Sequence, residues 1–226
     1  MKFQRSILLI SSIVFSVAVK AREASNIGTY NIGFDYSHAS GDNFDSNSFS
    51  VVSNLAVHPN FSTRLGLSYT NADADPYTLN FGGTNFTYNE EANQISGGVS
   101  VIFHNRFQSS QSFAIDPFLL LGIGVNYLEV DGTESSSFGS LPYSASFTTI
   151  PAVLRVGSEF VINNFVIITP SFGVLGYLSD DNLNYDAVFI WGLSADFMLS
   201  DHFSLGFGIG GADGNFDFGF GSKYHF

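Results

Sequence analysis

The last eleven residues of the chain alternate between two kinds of side chain. Aromatic residues occupy positions 216, 218, 220, 224 and 226, and most residues between them are small or charged. A period of two places each kind on its own face of a β-strand. A face this rich in aromatic residues is typical of a strand that contacts lipid. The pattern therefore predicts the closing strand of a transmembrane β-barrel.

The first residues have the features of a secretory signal peptide. Lys2 and Arg5 precede an apolar run from Ile7 to Val19, and Val19-Lys20-Ala21 is a small-x-small cleavage pattern. The run is too short for a bilayer of roughly 30 Å, which needs about 20 residues. We therefore expect residues 1–21 to be removed and residues 22–226 to form a single outer-membrane barrel domain.

Composition excludes several classes of protein. The absence of cysteine rules out disulfide scaffolds, thiolate metal sites and cysteine nucleophiles. Beyond Val19, polar residues or glycine interrupt every apolar run, so no membrane-spanning helix is expected. Cleavage after Ala21 leaves five basic against twenty acidic residues, a net charge of −15. Nucleic acid is therefore not an expected partner.

Runs with a period of two recur along the chain and predict an all-β, antiparallel transmembrane β-barrel of about ten strands. The predicted strands cover roughly residues 28–38, 48–58, 62–72, 93–104, 112–130, 146–161, 165–179, 185–199, 203–210 and 216–226. Pro117, Pro151 and Pro170 fall inside them, and bulges near the inner rim are the expected explanation. Residues 118–121 are apolar on both faces, which indicates side chains packed inside the lumen. A barrel of eight strands, with one hairpin outside or across it, is the alternative.

Short and longer connections alternate, as in outer-membrane barrels with both termini inside. The predicted outer connections are residues 39–47, 73–92, 131–145, 180–184 and 211–215. Phe61, Phe107, Phe165 and Phe203 each follow a polar turn and are predicted to ring the inner interface. We expect six tyrosines in or near the opposite aromatic girdle: Tyr30, Tyr36, Tyr69, Tyr127, Tyr177 and Tyr185. Alternatively, these aromatic residues are simply good strand formers.

With this architecture the chain resembles the small bacterial outer-membrane β-barrels of the OmpA-, OmpX- and OmpW-like kind. The resemblance covers the whole mature chain as architecture and only the last strand as a motif. Residues that match the terminal signal of that group are Phe218, Phe220, Tyr224 and Phe226, while Ser222 departs from it. The resemblance implies the barrel-assembly machinery as a partner and the outer membrane of a Gram-negative bacterium as the location.

The strand faces opposite the aromatic ones are predicted to line the lumen, and they carry charges of both signs. The predicted lumenal charges are Asp35, Arg64, Arg155, Glu159, Asp196, Asp217 and Lys223. In one interpretation, the arginines pair with carboxylates and fill a narrow interior. In the other, the charges and the many small residues line a narrow, weakly cation-preferring channel.

The predicted outer connections are acidic and contain no Lys or Arg. Their acids are Asp42, Asp45, Asp73, Asp75, Glu90, Glu91, Asp131, Glu134, Asp180, Asp181 and Asp213. Such a rim attracts cations, or holds calcium or magnesium against lipopolysaccharide phosphates, or simply keeps the loops soluble. We expect a structural or surface-interaction role, with outer-membrane lipid, lipopolysaccharide and a host or environmental ligand as partners.

No catalytic, cofactor-binding or metal-binding residue is predicted, and the chain is not expected to be an enzyme. Asp73-Ala74-Asp75 resembles the acid pair of outer-membrane proteases, but His38 is the one histidine predicted at the outer end. No second group is placed to orient His38 as a general base. The sequence also contains no Gly-x-Ser-x-Gly elbow. An outer-membrane hydrolase is therefore the remote alternative.

Overall fold

The computed structural model describes residue 27 and residues 29–41, 44–81, 84–110, 112–178, 187–212 and 215–226. These residues form the antiparallel strands β1 (Asn31–Gly41), β2 (Phe44–His58), β3 (Phe61–Phe81), β4 (Thr84–His104), β5 (Phe107–Ser110), β6 (Phe113–Ser136), β7 (Gly139–Ile162), β8 (Val166–Leu178), β9 (Val188–Ser200), β10 (Phe203–Ala212) and β11 (Asn215–His225). Among them, no helix is long and apolar enough to cross a membrane. The predicted signal peptide lies outside the described residues, as do Asp42, Asp180, Asp181, Tyr185 and Asp213.

Ten of these strands close into a ring. β1 pairs with β11 as well as with β2, and β4 pairs with β6, so every strand of the ring has two neighbours. The short strand β5 lies outside the ring order and pairs only with the start of β6, where Phe107 faces Ile115. The predicted ten-stranded antiparallel barrel is confirmed, and the alternative of eight strands is wrong.

The register around the ring defines how far the strands tilt. From Asp35, the pairs lead one way to Thr149 and the other way to Val161, two positions on β7 that are twelve residues apart. This stagger over ten strands corresponds to a tilt of about 40°. The lumen is therefore slightly wider than in a barrel of eight strands, and more side-chain volume is needed to fill it.

The outward face of the ring is apolar. Leu67 is 68% exposed, Ile95 is 61% exposed and Phe207 is 59% exposed. Exposed apolar residues continue around the barrel with Phe34, Phe49, Val125, Phe172, Phe189 and Phe220. Soluble proteins rarely expose a contiguous apolar surface of this extent, whereas lipid covers it without cost. The outward face is therefore the membrane-facing surface.

Aromatic residues lie near both ends of this surface. Exposed phenylalanines at the end with the short turns are Phe107, Phe165 and Phe203. Tyrosines on the outward face toward the other end are Tyr36, Tyr69 and Tyr127. The girdle prediction is wrong for Tyr177, which is 2% exposed and points inward. It is also wrong for Tyr30, because the Tyr30 carbonyl accepts a hydrogen bond from the Phe226 N–H (3.0 Å) at the end with the short turns.

The strand prolines are accommodated without inserted residues. Along β6 and β7 the pairing skips the positions around Pro151, and along β7 and β8 it skips those around Pro170. The register is the same on both sides of each gap, so the expected bulges are wrong at these two prolines. Pro117 lies just beyond the last pair between β4 and β6, His104 with Phe118. The missing N–H groups therefore fall at breaks or ends of the ladders.

The turn between β7 and β8 explains its two asparagines. Asn163 and Asn164 have φ angles of 52° and 53°, a left-handed conformation that Asn tolerates better than most residues. The N–H of Phe165 closes the turn on the carbonyl of Ile162 at 3.0 Å. The predicted short connection is confirmed here.

The predicted outer connections 73–92 and 131–145 are largely strand, so the expectation of long loops is wrong for both. β3 continues to Phe81, and β7 begins at Gly139. Polar cross-strand pairs link β3 to β4 in this region. Asn80 donates to Asn85 at 2.7 Å, and the hydroxyls of Thr78 and Thr87 lie 3.1 Å apart.

Gly173 allows β8 to pack directly against β7, and its replacement tests this close approach. A Cβ at Gly173 would overlap the carbonyl oxygen of Leu154 and lie 2.9 Å from the Cα of Arg155. We expect Gly173→Ala to lower the free energy of unfolding by about 1–3 kcal/mol, measured by urea unfolding in lipid vesicles. Gly176→Ala is the control, because nothing lies within 4 Å of a Cβ at that position. Equal losses in the two variants would contradict the packing described.

Candidate functional site

Each of the seven charged residues assigned to the interior lies on the inward face of its strand. They are Asp35, Arg64, Arg155, Glu159, Asp196, Asp217 and Lys223. Six are buried and Asp35 is half-buried. Five strands contribute them, namely β1, β3, β7, β9 and β11. Charges of both signs are therefore enclosed together within the ring.

Ion pairing and small neighbours make this burial possible. The Nζ of Lys223 lies 3.2 Å from Oδ1 of Asp196, and both side chains are almost fully buried. A buried charge without a partner would cost several kcal/mol. A Cβ at Gly221 would overlap the carboxylate of Asp35, and one at Gly33 would lie 3.2 Å from Cγ of Lys223. These two lumenal glycines therefore leave space for charged side chains rather than for an open channel.

Two polar pairs in the interior were missed by the sequence analysis. Nδ1 of His104 lies 3.2 Å from Oδ2 of Asp116, and the hydroxyl of Ser204 lies 3.1 Å from Nε2 of His225. Both histidines were assigned to the inner rim, with no partner. The period of two along β4 and β11 was the available signal, because it places both on the inward face.

Apolar side chains fill much of the remaining interior. Phe118 and Leu120 are 6% and 0% exposed and pack in one cluster with Leu175, Ile190 and Ile27, which precedes β1. The prediction that residues 118–121 contribute packed lumenal side chains is confirmed. A cavity of about 30 Å³ remains beside Arg64, lined partly by serines and glycines, with space for one or two water molecules.

The one Ser–His pair found among the described interior residues is buried. Ser204 and His225 have the distance of a nucleophile and a base, but Ser204 is 0% exposed and His225 is 4% exposed. A substrate would have to enter the packed lumen to reach them. In the described part of the chain, no group of three or more His, Asp or Glu residues is arranged to hold a metal ion.

The outer end of the barrel is uneven in height. β3 continues beyond Ala74, its last position in register with β2, and β7 continues beyond Ile150, its last position in register with β8. We call the extensions the projecting wall: residues 75–81 of β3, 84–90 of β4, 131–136 of β6 and 139–149 of β7. The part of β7 in the wall is about 35 Å long at roughly 3.3 Å per residue. The wall therefore extends well beyond the described ends of the strands on the opposite side.

The inner face of the projecting wall carries tyrosines that bind carboxylates. The hydroxyls of Tyr77 (3.3 Å) and Tyr143 both donate to Oε1 of Glu90, which is 8% exposed. Tyr88 donates to Glu134 and stacks on Tyr77, with ring centroids 5.1 Å apart and planes inclined by 13°. Leu141 and Phe147 are exposed on the same face. The acids of this cluster were predicted from the sequence, but its tyrosines were not.

The outer face of the projecting wall is polar and acidic. At its base, Asn71 donates to Glu91 at 2.8 Å, and Asp131 lies opposite Glu91 in the register. Beyond residue 22, the sequence has only four basic residues: Arg64, Arg106, Arg155 and Lys223. Three of these are the lumenal charges described above, and Arg106 lies in the turn after β4. The wall therefore has carboxylates without any Lys or Arg.

Two other sets of residues singled out in the sequence, His38 and the terminal signal, lie on the outward face of the barrel. The ring of His38 packs against Phe218, with centroids 5.4 Å apart and planes inclined by 51°, and its Nδ1 lies 3.1 Å from Oδ1 of Asn47. Its ring therefore faces away from the mouth of the barrel, where a substrate would enter. The four residues of the terminal signal are all exposed: Phe218, Phe220, Tyr224 and Phe226. Their part in assembly stays a prediction.

The tyrosines of the projecting wall should titrate late. Burial raises the pKa of Tyr77 to about 12, and the charge of Glu90 and its hydrogen bond contribute to the shift. Burial and Glu90 likewise raise the pKa of Tyr143. Because the folded-state pKa of Tyr77 lies above its ordinary value of 10.0, this stabilisation is complete below pH 10 and is lost as the pH rises through about 12.

We expect the phenolate absorption of Tyr77, isolated by subtracting the titration of Tyr77→Phe, to appear near pH 12. In Glu90→Gln the pKa of Tyr77 should fall toward 10, because the carboxylate charge is lost while the burial remains. Glu91→Gln is the control, since it removes one charge from the opposite face of the wall. A Tyr77 that titrates near pH 10 in the parent protein would contradict the cluster described.

Comparison with solved structures identifies the fold. The outer membrane protease OmpT from Escherichia coli superposes with a TM-score of 0.50 at 9% identity, covering 92% of this chain and all of OmpT. The translocator domain of the autotransporter NalP from Neisseria meningitidis gives 0.48 at 10% identity, covering 100% and 98% of the two chains. Ail from Yersinia pestis gives 0.37 at 13%, covering 88% and 97%. No family model and no curated protein matches the sequence. The fold is that of a bacterial outer-membrane β-barrel.

Proposed function

We propose that this protein is an integral barrel of a bacterial outer membrane whose role is interaction at the cell surface. The projecting wall is the observation that carries the proposal. Barrel closure and membrane insertion do not require four strands to extend beyond the others. Extra strand length with polar cross-strand pairs, tyrosines and carboxylates supports a surface that meets other molecules.

A closed lumen accompanies this role. Side chains from opposite strands fill the interior, and Leu120, Glu159 and Asp196 are at most 1% exposed. Conduction needs a continuous path for water and ions, which these buried side chains interrupt. The packing therefore favours a filled barrel over a narrow cation-preferring channel.

The proposed partners follow from the surface chemistry. The outward aromatic and aliphatic face supports contact with outer-membrane lipid. The acids at the base of the wall support bridging to lipopolysaccharide phosphates through divalent cations. The inner face supports binding of a host or environmental ligand. A role without catalysis is supported by the outward orientation of His38 and the burial of Ser204.

Shortening the projecting wall tests the interaction role. Residues 73–91 and 131–144 are each replaced by Asn-Gly, a dipeptide suited to tight hairpins, which removes six acids and keeps Ala72 opposite Ala92 and Val130 opposite Ala145. We expect cells that display the full chain to bind fluorescent poly-lysine, and cells with the shortened variant to lose at least half of that binding. Poly-glutamate is the control probe, and heat-modifiable migration confirms folding of both proteins. Unchanged poly-lysine binding would contradict the proposal.

Planar-bilayer recording tests the closed lumen. We expect the purified, refolded barrel to show no discrete conductance steps. A variant with Phe118→Ala and Leu120→Ala, which removes inward-facing bulk, should show steps. The matched variant with Leu119→Ala and Leu121→Ala changes outward-facing neighbours and should stay silent. Steps in the parent protein would favour the channel instead.

A further inference from the structure

Glu90 is a buried carboxylate whose described hydrogen-bond partners carry no positive charge. It is 8% exposed, and its described hydrogen bonds come from the neutral hydroxyls of Tyr77 and Tyr143. No Lys or Arg occurs in the projecting wall. Burying an anion without a counter-charge costs free energy. At Glu90 the free protein is therefore less favourable than a complex that supplies a cation.

The two described hydrogen bonds to Glu90 use the same oxygen. Both tyrosine hydroxyls donate to Oε1, so neither of these two bonds uses Oε2. Tyr77 and Tyr88 present stacked rings beside this carboxylate. A phenol that donates to a carboxylate has a more electron-rich ring, and such a face attracts a cation more strongly. A carboxylate beside stacked aromatic rings favours a flat cation.

The surroundings favour a cation that is carried by an apolar chain. Leu141 is 69% exposed and Phe147 is 37% exposed on the same face of the wall. A metal ion would gain nothing from these side chains, whereas a peptide with alternating basic and apolar residues would contact both kinds. Guanidinium is planar, donates along two directions and stacks on aromatic rings, which ammonium does not do equally well.

We propose that Glu90, Tyr77, Tyr88 and Tyr143 form a binding site for an arginine side chain of a basic, amphipathic peptide, with Leu141 and Phe147 contacting the apolar neighbours of that arginine. This rests on the proposed surface-interaction role and assigns it a ligand class. The guanidinium stacks on the tyrosine rings and donates to Oε2 of Glu90. The occupied site supplies a positive charge that the described partners of Glu90 lack.

Fluorescence anisotropy with the full-length barrel in lipid nanodiscs tests the site. The probe is a labelled peptide of alternating Leu and Arg, and a second peptide has citrulline, the neutral isostere, at each Arg. We expect saturable binding of the Arg peptide and at least tenfold weaker binding of the citrulline peptide. Glu90→Gln should weaken binding of the Arg peptide about tenfold, the usual size for a charge-assisted hydrogen bond.

Glu91→Gln is the matched control, because it removes the same charge from the adjacent residue on the opposite face. It should change the dissociation constant less than twofold, and Tyr88→Leu should weaken binding several-fold without altering heat-modifiable migration. Equal effects of Glu90→Gln and Glu91→Gln would overturn the site but leave a diffuse acidic interaction surface in place. If neither the Arg peptide nor poly-lysine binds the parent barrel, the site and the surface-interaction role both fail.

Discussion

The pairing of β1 with β11 is the interaction on which the rest of the structure depends. It joins the first and last strands of the ring, so no ring strand leaves a row of unpaired N–H and C=O groups toward lipid. Once the ring is closed, each strand has one face toward lipid and one toward the interior. Outward side chains must then suit lipid, and inward side chains must suit a polar, enclosed interior. Aromatic residues therefore alternate with small or charged residues along the strands.

Closure also explains why the interior is both charged and tightly filled. A barrel of ten strands with a stagger of twelve encloses more volume than a barrel of eight strands. Long side chains of some strands fill this volume, and they lie against glycines of neighbouring strands. Asp35 occupies the space beside Gly221, and Lys223 reaches across to Asp196. The charged side chains therefore contribute to packing through their size and to electrostatic stability through their ion pairs.

The period of two made the membrane-spanning half of the fold predictable, including the inward faces of β1, β7 and β11. It was less informative at the outer ends, where Asn, Thr, Ser and Glu alternate without an apolar face and resemble a loop. The outer ends are held in β-structure by pairing with a neighbouring strand, and this pairing cannot be read from amino-acid composition. Tyr177 was misplaced because β8 is apolar on both faces, with Leu175 buried and Phe172 exposed, so the period of two does not distinguish its inward face. The cluster at Glu90 depends on three distant tyrosines whose meeting follows only from the β3–β4–β6–β7 register.

The unequal strand heights give the molecule a front and a back. Four neighbouring strands rise on one side, while the described parts of β1, β2 and β8 to β11 end lower. A large molecule that arrives from above meets the projecting wall across one part of the rim. The side of the barrel from which such a molecule approaches therefore decides whether it reaches the tyrosines. In a crowded membrane, the rotational orientation of each barrel relative to its neighbours would therefore control access to the tyrosines.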